Sequence, residues 1–322
     1  MTERGRDLRM YLPVYAIVLA VYIFAGWQSA SFFTWNNNVN LFGRVTPLIL
    51  AGLAQTVVIL TGGIDLSVGS MISVASVTAA SLPYVDTPAN LVLWVLVPPL
   101  VGLAMGAING LLIAAWPFPP FIVTLASSSI YLGVALYILR EPGGEVSLDA
   151  TLVSSGKIYG IPIPLLLMLA AVAAAYLLLS RTRFGRSIYA LGGNETLAIQ
   201  SGIRPGRVKF FVYSLSGLFS GLAGAYLSAW MFAGDPLGGE PYVMNSIAVA
   251  VIGGSSLMGG RGGVPGVIGG AYIFYLINNI LNLLGINPFY QYIAKGVILI
   301  AALAVSAPDL LRRLGLERRR EQ

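Results

Sequence analysis

No cysteine and no histidine occur among the 322 residues. The first absence excludes a disulfide framework and thiol chemistry. The second removes the commonest metal ligand and the usual proton shuttle near neutral pH. Charge is scarce as well: 10% of residues are charged, 57% are hydrophobic, and the mean hydropathy is +0.80. A soluble domain carries about 25% charged residues, so this composition is that of a polytopic α-helical membrane protein. No GxxxxGK[ST] phosphate loop, HExxH, CxxC or EF-hand pattern appears in the sequence. The few carboxylates fall mostly in expected loops. No active site, metal site or cofactor is legible, and the chain is not expected to be an enzyme.

The charge that is present is clustered. The net value is +6. Arg4, Arg6 and Arg9 precede the first apolar run; Arg181, Arg183, Arg186, Arg204, Arg207 and Lys209 crowd the centre; Arg312, Arg313, Arg318, Arg319 and Arg320 fill the tail. The positive-inside rule places all three clusters in the cytoplasm and accounts for the basic balance without nucleic acid. The first apolar run, from about Met10 to Phe33, exceeds a signal h-region and reads as a retained helix.

A spanning helix needs about 20 mostly apolar residues. Candidate spans are 11–33, 44–61, 65–83, 91–115, 120–139, 163–180, 208–231, 243–259, 264–284 and 289–307. The second and eighth read as short. Ten spans return the chain to the cytoplasm at each basic cluster, with both termini inside; eight spans with re-entrant Gly-rich segments keep the same even count and stay open. The fold expected is therefore an all-α polytopic membrane protein of about ten transmembrane helices, with Gly-rich broken helices, forming one transmembrane domain over 1–322. Loops 140–162 and 232–242 then lie outside and loop 181–207 inside. Small-residue ladders recur at Gly102, Gly106 and Gly110, at Gly217 and Gly221, and at Gly262, Gly266 and Gly270. Lipid offers no hydrophobic drive for helix pairing, so such faces serve close packing within the bundle.

The stretch TGGIDLSVGS at 61–70 is the most informative. Between Met10 and Leu139 the only charged side chains are Arg44, Asp65 and Asp86. A carboxylate at membrane depth must face protein or a watery cavity. Gly62 and Gly63 free the backbone, and Asp65 is placed to cap the helix that follows. A broken helix inside a bilayer is tolerated only where protein or a cavity covers it. A second Gly-rich stretch, VIGGSSLMGG at 251–260, resembles it loosely, as duplicated half-structures do in transporters.

Uncharged polar residues inside the spans suggest a route for a neutral, polyhydroxylated solute. They offer both donors and acceptors, whereas a cation route asks for more buried carboxylates. The candidates for the pathway are Asp65, Ser67, Asn109, Thr124, Ser127, Asn245, Asn278, Asn279 and Asn282. For any one of them an ordinary interhelical hydrogen bond is the competing role. Arg261 marks either the inner end of that route or an inside loop. Lys295, about one turn into the last expected span, is placed to snorkel to the outer interface.

In the central loop Asn194 reads as the N-cap of a short helix beginning at Glu195 and Thr196, and Gly202 as its stop. The acidic Glu195 suits the positive helix end. Gly185, Gly192 and Gly193 precede it in tight approach. This segment is a natural contact for a cytoplasmic partner.

Four stretches now carry a resemblance: FFTWNN at 32–37, ILTGGIDLSVGS at 59–70, GRSIYALGGNETLAIQSGI at 185–203 and GGSSLMGGRGGVPGVIGGA at 253–271. In sequence and order they resemble the permease subunit of ribose-type ABC sugar importers, over nearly the whole chain. The resemblance implies separate cytoplasmic ABC ATPase subunits, an external sugar-binding protein and a second permease chain, identical or different, within the membrane lipid of a bacterial inner membrane. It implies that a cytoplasmic helix docks on the ATPase. By position that role falls on Gly192, Gly193, Asn194, Glu195, Thr196, Ser201 and Gly202. It makes Asp65 a cap or gate residue rather than a sugar ligand, and loops 140–162 and 232–242 the contacts of the binding protein. The loop EPGGEVS at 141–147 departs from the ribose pattern. A pentose, hexose, polyol, sugar-derived signal or nucleoside stays open as substrate. An ion-coupled secondary transporter, with Asp65 as its one acidic candidate, is the rival from another class.

Overall fold

The computed structural model describes residues 3–28, 32–82, 88–116, 118–283 and short stretches between 285 and 300. Asp86, Lys295, the basic tail from Arg312 onward and most of the expected span 289–307 lie outside the described residues.

The described residues are mostly helical. Among them twelve helices follow one another: α1 (Glu3–Gln28), α2 (Trp35–Ile59), α3 (Val68–Ala80), α4 (Pro88–Ala115), α5 (Pro120–Ile138), α6 (Leu148–Ser155), α7 (Ile163–Arg181), α8 (Arg183–Gly193), α9 (Glu195–Gln200), α10 (Pro205–Met231), α11 (Glu240–Ile252) and α12 (Val264–Leu283). A two-strand hairpin, β1 (Lys157–Ile158) with β2 (Ile161–Pro162), separates α6 from α7.

Among the described residues six helical segments are long and apolar enough to cross a membrane: Leu41–Ile59, Leu91–Ala115, Pro120–Ile138, Ile163–Arg181, Pro205–Met231 and Val264–Asn282. Three shorter apolar segments accompany them, Tyr11–Trp27, Val68–Ala80 and Glu240–Ile252. α3 and α11 have 13 residues each. At 1.5 Å per residue each covers about 20 Å, some two-thirds of a hydrocarbon core of about 30 Å. The eighth expected span is indeed short, but the second is not. α2 has 25 residues, because its start is set by Thr34, whose hydroxyl caps the amide of Asn37, and not by Arg44, which lies inside the helix. The shortening falls on the third span instead.

α10 is the centre of the bundle, packed against α4, α3 and α2. It meets α4 through glycine. A side chain on Gly102 or Gly106 would overlap the backbone of Gly217 or Tyr213, and one on Gly221 would stand 2.7 Å from Pro98 O. The ladder of Gly102, Gly106 and Gly110 thus fits against the backbone around Phe210, Gly217 and Gly221. In the same way Gly266 and Gly270 on α12 lie against Gly253 and Val249 at the end of α11. Both ladders serve packing within the chain. α2 is buried over 89% of its apolar window and α7 over 22%, so one is core and the other presents its leucines outward.

The two ends of the bundle differ. At one, loops 140–162 and 232–242 are joined by an antiparallel bridge, Gly143 N to Gly234 O at 2.9 Å and Gly234 N to Gly143 O at 2.8 Å. The end of α3 joins them, with Ala80 O accepting from Glu145 N at 2.9 Å. At the other end lie α8, α9 and the two segments that link α2 to α3 and α11 to α12.

Candidate functional site

Those two linking segments stop their helices in the same way. After α2, Gly62 N donates to Ile59 O at 2.8 Å and Gly63 N to Val58 O at 3.3 Å. After α11, Gly254 N donates to Val251 O and Ser255 N to Ala250 O, both at 2.9 Å. Gly62 and Gly254 have φ of +80° and +85°, the left-handed turn that ends a helix on glycine.

The first break, Leu60–Ser67, is filled by a polar clasp. Asp65 is fully buried. Its Oδ1 accepts from Ser67 N at 2.9 Å and Ser67 Oγ at 2.6 Å, which caps the turn leading into α3. Its Oδ2 accepts from Ser216 Oγ of α10 at 2.9 Å. The Gln55 amide of α2, oriented so that both its ends are paired, donates to Asp65 O at 2.9 Å and accepts from Asp65 N at 3.3 Å. Asn109 of α4 donates to Ser67 Oγ at 2.8 Å and accepts from the Tyr131 hydroxyl of α5 at 3.1 Å. Thr124 of α5 accepts from Leu66 N at 3.1 Å, and Ser127, one turn on, lies beside the Tyr131 hydroxyl. The carboxylate itself joins Ser67 to α10, and the polar groups around it bring α2, α4 and α5 to the same break. Three donors thus reach the buried carboxyl group, which supplies the hydrogen bonding that burial of a polar group requires.

Of the residues singled out in the sequence, Asp65, Ser67, Asn109, Thr124 and Ser127 come together here. Asn245 sits half-buried on α11. The asparagines of α12 lie elsewhere: Asn278 donates to Phe274 O of its own helix at 2.7 Å, Asn282 accepts from Gln291 Nε2 at 2.8 Å, and Asn279 lies between them. Gln55, Ser216 and Tyr131 belong to the clasp without having been singled out. A glutamine in an otherwise apolar stretch was the one available signal among them.

The second break, Gly253–Gly263, has no carboxylate. Ser256 N donates to Arg261 O at 3.0 Å and Gly259 N to Ser256 O at 2.9 Å, closing a tight loop with Met258 88% exposed at its tip. Arg261 is exposed on the same loop.

α8 and α9 lie beside the breaks. Thr182 Oγ1 caps α8 through Gly185 N at 3.0 Å, and Asn194 Oδ1 caps α9 through Leu197 N at 3.0 Å. α9 ends at Gln200, with Ser201 as its C-cap and Gly202 next at φ +81°. Glu195 pairs with Lys209 of α10 at 2.9 Å. Thr196, Leu197 and Ile199 are exposed, and Gly193 has open space where a side chain would stand. Leu197 and Ile199 are thus two large apolar side chains exposed on a short polar-capped helix.

The profile of the family described as branched-chain amino acid transport system / permease component matches residues 37–303. The ribose import permease protein of Bacillus subtilis is 39% identical over 301 residues, covering 92% of each chain. The D-allose transport system permease protein of Escherichia coli is 36% identical, covering 92% of this chain and 90% of its own. A probable ABC transporter permease protein of Escherichia coli is 33% identical, covering 89% and 86%. No solved structure matches the chain. From its length of match and its membrane helices, this chain belongs to that family of transport-system permease components.

Proposed function

We propose that the chain is the transmembrane permease subunit of an ATP-binding-cassette importer in a bacterial inner membrane, moving a neutral monosaccharide into the cytoplasm by alternating access. The observation that carries this is the similarity, over nine-tenths or more of each chain, to permeases named for ribose import and D-allose transport. ATP hydrolysis belongs to separate cytoplasmic subunits. The chain supplies a pathway, paired with a second permease chain, and a docking helix.

In this reading the end of the bundle bearing α8 and α9 is cytoplasmic and the bridged loops 140–162 and 232–242 meet an external binding protein. The six described spans and three shorter apolar helices then alternate in direction, and ten crossings with both termini inside are expected. Asn194 through Ser201 dock on the ATPase through Leu197 and Ile199, with Gly192, Gly193 and Gly202 shaping the approach. Asp65 is a clasp, and Ser67, Asn109 and Thr124 complete it. The solute-facing groups are sought instead among the polar positions that do not bond to Asp65 or Ser67, namely Ser127, Asn245, Asn278, Asn279 and Asn282. The ion-coupled alternative needs a carboxylate open to a cation, and Asp65 already accepts three hydrogen bonds.

Affinity purification of the chain from its native membrane, with identification of its companions, tests the proposal. An ABC ATPase and a sugar-binding protein are expected. Absence of an ATPase under gentle extraction, together with uptake abolished by an ionophore, contradicts it.

A further inference from the structure

The two breaks and α8 meet backbone to backbone. Gly260 N donates to Leu60 O at 3.0 Å. A side chain on Gly192 would overlap that same Leu60 carbonyl and stand 2.6 Å from Gly260 N. One on Gly259 would stand 2.8 Å from both Gly192 O and Gly62 N, and one on Gly260 would stand 2.9 Å from Gly193 Cα. Tyr189, on the preceding turn of α8, donates to Gly262 O at 3.0 Å. The last turn of α8 is therefore wedged between the end of α2 and the loop before α12, with no side chain between the three backbones.

Contacts of this kind have little slack. Side chains change rotamer and absorb a displacement; close-packed backbone transmits it. α9 follows α8 directly, held by the Asn194 cap and the ion pair from Glu195 to Lys209. We infer that Gly192 and Gly260 are positioning residues, which fasten the α8–α9 segment to both helix breaks so that the three move as one body. A displacement of α9 then reaches α2–α3 and α11–α12 together. This rests on the permease reading and adds the route by which that permease is driven. Gly192 faces the breaks, not the partner.

The absence of cysteine makes the native chain a ready background for labels. Ala190 and Met258 are both exposed. With Ala190→Cys and Met258→Cys spin-labelled in the assembled complex, the distance between labels is expected to stay the same in the nucleotide-free and ATP-bound states. In proteoliposomes loaded with the complex, Gly192→Ala is expected to lower sugar imported per ATP hydrolysed several-fold, measured with whichever of D-ribose and D-allose the parent imports. Gly206→Ala, whose added carbon comes no closer than 3.4 Å to its neighbour Ala114, is expected to keep the parent ratio. The ratio is insensitive to the amount of folded protein, and the label distance needs no change at Gly192. A label distance that changes between states overturns the inference, as does a Gly192→Ala ratio equal to the parent's. A parent complex with no ATPase activity overturns the permease reading itself, and the inference with it.

Discussion

The two helix breaks end their first helices on the same left-handed glycine turn and are then filled in opposite ways. The first is held by side chains, with a buried carboxylate bonded to Ser67 and to Ser216 of α10, and with Gln55, Asn109 and Thr124 pairing the groups around it. The second is held mainly by close backbone, Gly266 against Gly253 and Gly260 against Leu60, with the Tyr189 hydroxyl on Gly262 O and its tip in the open. A shared backbone solution can thus carry two kinds of stability. One is vulnerable to loss of a polar group, the other to gain of volume.

That contrast can be attacked from both sides. The largest effect is expected from Asp65→Ala, which leaves two hydroxyls and an amide buried without their acceptor, at on the order of 3 kcal/mol or more. Thermal unfolding of the purified complex in nanodiscs should show it as a lowered midpoint and poor recovery. Gly266→Ala should follow at about 2 kcal/mol, since its methyl overlaps the Gly253 carbonyl and the backbone must move; the same unfolding measurement reads it. Ser216→Ala, removing one donor while Ser67 still holds the carboxylate, should cost about 1 kcal/mol. At the bottom of the scale, Met258→Ala and Arg261→Ala on the exposed tip should leave the midpoint within about 0.5 kcal/mol of the parent. An Arg261→Ala chain as unstable as Asp65→Ala would erase the distinction.

How much of this was readable in the sequence follows the range of the interactions. The α9 helix was legible because its signals are local: Asn194 three residues before the amide it caps, Glu195 in the first turn, Gly202 just past the end. The first break was legible for the same reason, since two glycines and an aspartate sit within four positions. The extent of α2 was misread because hydropathy drops at Trp35–Asn40 and Arg44 looks like an edge; the cap at Thr34 overrides both. The partners of Asp65 were not legible, since Ser216 is 151 positions away and one serine in an apolar helix looks like another. Asn278, Asn279 and Asn282 looked equal to Asn109 in kind. Only packing reveals that Asn109 faces the first break and that Asn278 and Asn282 hydrogen-bond near the far end of α12. The docking of α8 on both breaks was hidden likewise, because a glycine that admits a neighbouring backbone carries no mark of which backbone it admits.

The central claim is that Asp65 clasps helices and does not touch the solute. Asp65→Asn tests it most directly, because asparagine keeps the shape and one acceptor oxygen and so permits assembly. Its thermal midpoint and its apparent KM for the imported sugar should be measured on the same reconstituted complex. A lowered midpoint with an unchanged KM is the predicted result. An unchanged midpoint with a raised KM would contradict the account and return Asp65 to the solute pathway.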